Sequence, residues 1–213
     1  MKITTSSLVL ILTNCVPLFG VIFLGWDATA VVLTYWAETG IIFLSVFIQI
    51  AVIGYIDKSN LYRRRTPLLL ILYIFIFGFL LSLSFSFIWF LIQAVPSIFT
   101  HNQVINVTIV DLLMSIPVIG VVSLLINHAV SLVLGFFIEK AYETTNMATV
   151  LLVSFKRVFV IVFMIAAGFF IIPISTLVTK SHGPTILLSL LIIIKIFFDL
   201  CLMSRTSPLQ VFR

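Results

Sequence analysis

The sequence predicts an all-α, polytopic membrane bundle of six transmembrane helices, a single integral membrane domain over residues 1–213, and three observations predict it. The first is composition. The chain is 62% hydrophobic and 9% charged, with a mean hydropathy of +1.32, against about 45–50% apolar and 25% charged residues in an ordinary globular domain. That leaves too little polar surface to clothe a water-soluble fold. The second is run length: the apolar residues are gathered into stretches that can cross a hydrocarbon core of about 30 Å, which takes about 20 helical residues. The third is the placement of the basic residues. With six spans, Lys2, Lys58, Arg63, Arg64, Arg65, Lys140, Lys156, Arg157, Arg205 and Arg213 fall on one side, only Lys180 falls on the other, and Lys195 lies within a span. Cytoplasmic loops carry the excess of Lys and Arg, so both termini are expected in the cytoplasm and the protein in the plasma membrane. Five spans would spoil this partition.

The spans are expected at about 7–25, 28–54, 67–95, 111–138, 149–178 and 184–204. The first has the charge and length of a secretory signal at its start, and Leu12-Thr13-Asn14-Cys15 faintly resembles a lipoprotein cleavage box. Asn14 stands where a small residue is needed, and the apolar run continues through Leu24, long enough to span. Pro17 removes a backbone donor, so a kink is expected, with the Asn14 amide satisfying the freed carbonyl. Trp26-Asp27 makes a tight interfacial connection, the indole at headgroup depth.

Along the second span Asp27, Val31, Tyr35, Glu38, Ile42, Ser45 and Gln49 recur at helical spacing, so one face carries the polar groups and should look inward. Residues 57–66 read as a water-exposed loop, with Arg63, Arg64 and Arg65 as a cytoplasmic basic signal and Pro67 in the first turn of the third span. In that span Ser82, Ser84 and Ser86 are expected to bond to their own helix. Residues 96–108 read as a loop, and Asn106-Val107-Thr108 in it is a three-residue sequon of little weight by itself. The fourth span carries Asn127, His128 and Ser131 on one side. Residues 139–146 form a further loop, and the fifth span contains Lys156-Arg157 near its start and Pro173. Lys195 and Asp199 of the sixth span are four apart, hence on one helical face within reach of each other.

Glu38 organises the rest. A carboxylate at the centre of a span costs about 2.5–3.5 kcal/mol on insertion scales, so the chain must hold it against a partner, water or its own proton. Counted from the starts of their runs, Glu38 and Lys195 sit at similar depth near the midplane, which predicts contact between residues far apart in sequence. One lysine between two acids leaves a negative excess, so one acid is expected to be protonated or held by Tyr35, Asn127 or His128. The intramembrane polar cluster is therefore Glu38, Lys195, Asp199, Tyr35, Asn14, Asn127, His128 and Ser131.

Other chemistries find little support. The basic residues form no stripe interleaved with exposed aromatics, so nucleic acid is not expected as a partner. The three histidines are scattered and no paired-Cys, His-Glu-x-x-His or Walker spacing is present, so neither a metal nor another cofactor is expected. Ser131 and His128 lack a visible oxyanion hole, and there is no Gly-x-Ser-x-Gly elbow. No catalytic residue is assigned. Cys15 and Cys201 lie inside spans and say nothing of redox compartment.

Asn14-Cys15-Val16-Pro17-Leu18-Phe19-Gly20 running into Leu24-Gly25-Trp26, then Tyr35-Trp36-Ala37-Glu38, His128-Ala129-Val130-Ser131 and Lys195-x-x-x-Asp199 together resemble a family of prokaryotic polytopic membrane proteins known as domain of unknown function 6498. The order of these short stretches carries the resemblance. This chain departs from the pattern at Thr39, where family members tend to have Asn, and at Val162 and Met203, near places where they carry histidines. The resemblance implies the six-helix architecture and no activity. Three functions stay open: a non-enzymatic component that packs with lipid or other membrane-protein subunits, a small carrier or ion or proton pathway built on Glu38, Lys195 and Asp199, and an intramembrane enzyme using His128 and Ser131.

Overall fold

The computed structural model describes residues 5–56, 60–100, 108–178 and 183–206, with side chains over 8–27, 29–56, 66–89, 108, 110, 113–167 and 185–201. Within these limits the protein is all-helical. The elements are α1 (Thr5–Phe23), α2 (Ala28–Ile56), α3 (Asn60–Thr100), α4 (Ile109–Met114), α5 (Val118–Val130) continued by a π-helical segment (Ser131–Ile138), a short 3-10 turn (Ala141–Glu143), α6 (Met147–Val178) and α7 (Gly183–Thr206). Among the described residues four helices are long and apolar enough to cross a membrane: 29–56 in α2, 66–89 in α3, 118–138 across α5 and its π extension, and 147–167 in α6. Residues 8–23 of α1 form a shorter apolar helix.

Five helices close a ring. α1 packs on α5, α5 on α2, α2 on α6, α6 on α7 and α7 back on α1, while α3 lies outside and leans mainly on α2. The core follows this order: Leu33 of α2, Leu124 of α5 and Ile192 of α7 are fully buried, and Ile161 and Ile165 of α6 pack into one cluster with Leu33 and Ile192. The outward faces stay apolar. Phe75 of α3 and Phe159 of α6 are each more than 70% exposed, as fits a membrane protein.

Local chemistry explains the helix ends. Gly25 takes a φ of +68°, which suits a residue without Cβ, and the reversal brings the Trp26 N–H back to the Gly20 carbonyl at 3.0 Å. The Asp27 carboxylate then accepts from the Ala30 N–H at 2.8 Å and caps α2. Asn146 caps α6 in the same way, accepting from the Thr149 N–H at 2.7 Å and its hydroxyl at 2.8 Å.

Several expectations need correction. Residues 60–66 are not a loop, because α3 begins at Asn60 and carries Arg63, Arg64 and Arg65 on its backbone; their side chains lie outside the described residues. α3 also continues through Pro96 to Thr100, where a loop was expected. Each proline removes one helical hydrogen bond, and the many bonds on either side outweigh that loss. At 41 residues α3 is about 60 Å long, roughly twice the hydrocarbon thickness. The helix expected over 111–138 is broken: α4 stops at Met114, and Pro117, extended at ψ 106°, starts α5 afresh. A proline has no N–H to give the preceding turn, and it disfavours the helical conformation in the residue before it.

On α2 the inward stripe runs through Val31, Tyr35, Glu38 and Ile42 and then Val46 and Ile50, so the lower half turns in one residue later than Ser45 and Gln49. A 3.6-residue period drifts this way. Trp26 packs into a notch between helices, where a Cβ on Gly20 or Gly120 would overlap its ring. The serines behave as expected where their bonds are described: Ser84 donates to the Leu81 carbonyl at 2.8 Å and Ser86 to that of Ser82 at 2.9 Å. The loop with His101 and Asn102, and that with Lys180 and His182, lie outside the described residues.

Candidate functional site

Lys195 projects from α7 into the centre of the ring and is 0% exposed. An ammonium has three protons and no acceptor capacity, so a buried lysine needs three acceptors to be satisfied. It finds them on three helices. Nζ donates to Asn14 Oδ1 of α1 at 2.8 Å, to Glu38 Oε1 of α2 at 3.0 Å, and to Asp199 Oδ2 one turn along α7 at 2.8 Å. It also stands 3.0 Å from Glu38 Oε2, but that oxygen has no hydrogen bond, so the contact there is electrostatic. The acids are as buried as the base, Glu38 at 3% and Asp199 at 7% exposure.

The remaining expected residues divide. Tyr35, one turn before Glu38, turns its ring toward the ammonium, which lies 4.9 Å from the ring centroid. The Tyr35 hydroxyl is buried without a hydrogen bond among the described residues. His128 of α5 brings Nε2 to 3.5 Å from Glu38 Oε1, within ion-pair range but without hydrogen-bond geometry. Asn127 is buried beside it on α5. Ser131 stands apart at the start of the π segment, half-buried, with its backbone N–H bonded to the Asn127 and His128 carbonyls and no bond from its hydroxyl to His128 among the described residues. Glu38, Lys195, Asp199, Asn14, Tyr35 and His128 thus come together from four of the five ring helices. α6 completes the ring with apolar side chains such as Met164 and Ile165.

Asn14 does something other than expected. Its Nδ2 donates to the Leu10 carbonyl at 3.0 Å, leaving Oδ1 free to take the lysine. The Thr13 carbonyl, which Pro17 leaves without a helical partner, is instead approached by Ser123 Oγ of α5 at 3.4 Å, a hydroxyl whose shorter bond, 2.7 Å, goes to Gly120 of its own helix. The acceptor demand of a buried ammonium outranks repair of one carbonyl. Ser123 is the side chain that sequence reasoning missed, and the proline at position 17 was the available signal, since it names the carbonyl that needs a donor.

Among the described residues no three His, Cys, Asp or Glu side chains are grouped so as to hold a metal ion. What the arrangement can do chemically is hold charge in a dry interior, and exchange protons if water reaches it.

A family model matches residues 1–210, nearly the whole chain. The chain belongs to DUF6498, a family of unknown function. Membership agrees with the all-helical architecture and apolar helices that fit a membrane protein, and it carries no activity to this DUF6498 member. No curated protein and no solved structure matches the chain.

Proposed function

We propose that the protein is a non-enzymatic membrane component, a helical unit with both termini in the cytoplasm that packs against lipid and partner membrane proteins. The observation that carries this reading is the saturation of Lys195. All three ammonium protons are used by side chains of α1, α2 and α7, so this buried ammonium is spent on joining helices. Such a tie fixes which helices adjoin and in what register, a role for which buried polar groups have support. Other large apolar side chains, Phe75 of α3 and Phe159 of α6 among them, face outward.

Photo-crosslinking from Phe75 and Phe159 in the native membrane tests the reading. Adducts to a second copy or to another membrane protein are the expected result. Lipid adducts alone, together with an isolated monomer on native purification, decide against it. Orientation is checked separately with a single cysteine introduced at residue 60, which should resist membrane-impermeant labelling from outside intact cells.

A second reading, an ion or proton pathway, draws on the buried Tyr35 hydroxyl and Glu38 Oε2, which carry no hydrogen bond beside the tie. Flux in proteoliposomes that Glu38→Gln abolishes favours it, and unchanged flux removes it. The enzyme reading gains nothing from Ser131, because His128 faces Glu38 instead.

A further inference from the structure

The charges of the buried centre do not balance. Lys195 brings one positive charge against the two carboxylates of Glu38 and Asp199, all three nearly inaccessible. With a neutral imidazole at His128 the centre is left with a net negative charge in a buried interior. Glu38 has a second basic neighbour besides the lysine. His128 Nε2, 3.5 Å from Oε1, sits on an imidazole that is 6% exposed, and it has no hydrogen bond among the described residues. An unpartnered ring nitrogen buried and aimed at an acid has one simple remedy.

We propose that His128 and Glu38 form a proton-binding site, in which the lone pair of His128 Nε2 takes one proton from a solvent hydronium and points it at the Glu38 carboxylate. One N–H bond forms as one O–H bond of the hydronium breaks, leaving water. The centre passes from one net negative charge to neutrality, with Glu38 between two cations and Asp199 paired to Lys195. The other groups that face this site are Tyr35 on α2, Lys195 and Asp199 on α7, and the neutral Asn14 on α1. α5 itself adds Ser123 and Asn127, and the π segment from Ser131 to Ile138 contains no titratable side chain. Three residues beyond His128 the helix widens into that segment, whose Glu139 N–H reaches back five residues to Leu134 at 3.0 Å. π-helical turns of this kind are concentrated at functional sites. The site stands whether or not the apolar exterior binds a partner.

The test uses the full chain in lipid nanodiscs, with His101→Gln and His182→Gln leaving His128 as the single histidine, labelled with nitrogen-15. Expected at about pH 7 is the spectrum of an imidazolium with both nitrogens protonated. In Glu38→Gln the protonated signal should give way to the neutral one at the same pH. A neutral ring in the folded parent at about pH 6 overturns the proposal, and so does an imidazolium signal unchanged by Glu38→Gln. Should Glu38→Gln fail to fold, two further variants decide. His128→Lys, with a permanent charge, should keep the parent's thermal midpoint, and His128→Gln should lower it by several degrees; equal midpoints in the two overturn the site.

Discussion

On one flank of α2 the Glu38 carboxylate is held by Lys195 at 3.0 Å, and on another Phe43 stacks on Tyr73 with ring centroids 5.1 Å apart. The second region is a seam of rings: Phe77 of α3 lies 4.8 Å from Tyr73, 5.4 Å from Phe43 and 5.6 Å from Phe155 of α6, and Trp36 meets Phe85 at 5.0 Å. Two weak polar contacts pin the seam, Tyr73 Oη to the Phe43 carbonyl and Trp36 Nε1 to the Leu81 carbonyl, both at 3.3 Å. A small apolar cavity of about 120 Å³ opens beside it, lined by Ile50, Tyr73, Ile76, Met147 and Phe155 among others. The difference teaches what holds helices together when the surroundings are already apolar. Lipid supplies no hydrophobic drive between helices, so the seam contributes shape and dispersion, and side chains there can be traded. The charged centre cannot be traded one residue at a time, since removing one partner strands another in a dry interior.

Substitutions should separate the two regions, and the largest effect belongs to Lys195→Met. It leaves two buried acids without their shared cation and should cost about 3–5 kcal/mol, read by reversible unfolding in mixed micelles. Glu38→Gln keeps Lys195 paired with Asp199 and loses one charge-assisted bond, a cost of about 1.5–3 kcal/mol in the same assay. If Glu38→Gln proves the more damaging of the two, the lysine is not the hub. Phe77→Ala, in a side chain 1% exposed, removes most of a ring from the seam. At about 24 cal/mol per Å³ of residual cavity, a void of roughly 100 Å³ costs about 2 kcal/mol, without the transfer term that a soluble core would add. A loss as large as that for Lys195→Met would erase the contrast drawn above. Tyr73→Phe should be the mildest, about 0.5–1.5 kcal/mol for one long hydrogen bond.

The charged centre was legible because charges inside apolar runs are scarce. With Glu38 and Lys195 at matching depths and Asp199 one turn along from the lysine, counting residues along Ala28–Glu38 and Pro184–Lys195 leaves few pairings open. The direction of His128 was less legible, since it depends on how α5 is rotated against α2, and apolar residues on nearly every face blur the helical period. The break before α5 had a visible signal in Pro117, overridden by the length of the apolar run around it. Pro67 and Pro96 misled in the opposite sense, because a proline reads as a boundary and helices long enough can absorb it. Trp26 illustrates a further limit. An indole next to an aspartate is at home in the headgroups, and only the absence of Cβ atoms at Gly20 and Gly120, on two different helices, makes a notch for it.

The closed ring also sets an order of events during synthesis. Glu38 lies on the second helix and Lys195 on the last, 157 residues later. At roughly 5–20 residues per second, the ribosome makes the lysine on the order of 10–30 seconds after the glutamate has been made. For that interval the nascent chain holds a carboxyl group in the bilayer with its eventual cation not yet translated. His128 is synthesised about midway through the wait, and is the first basic side chain of the finished centre to arrive. A chain that stops short of α7 therefore lacks the lysine that holds Glu38 in the finished centre.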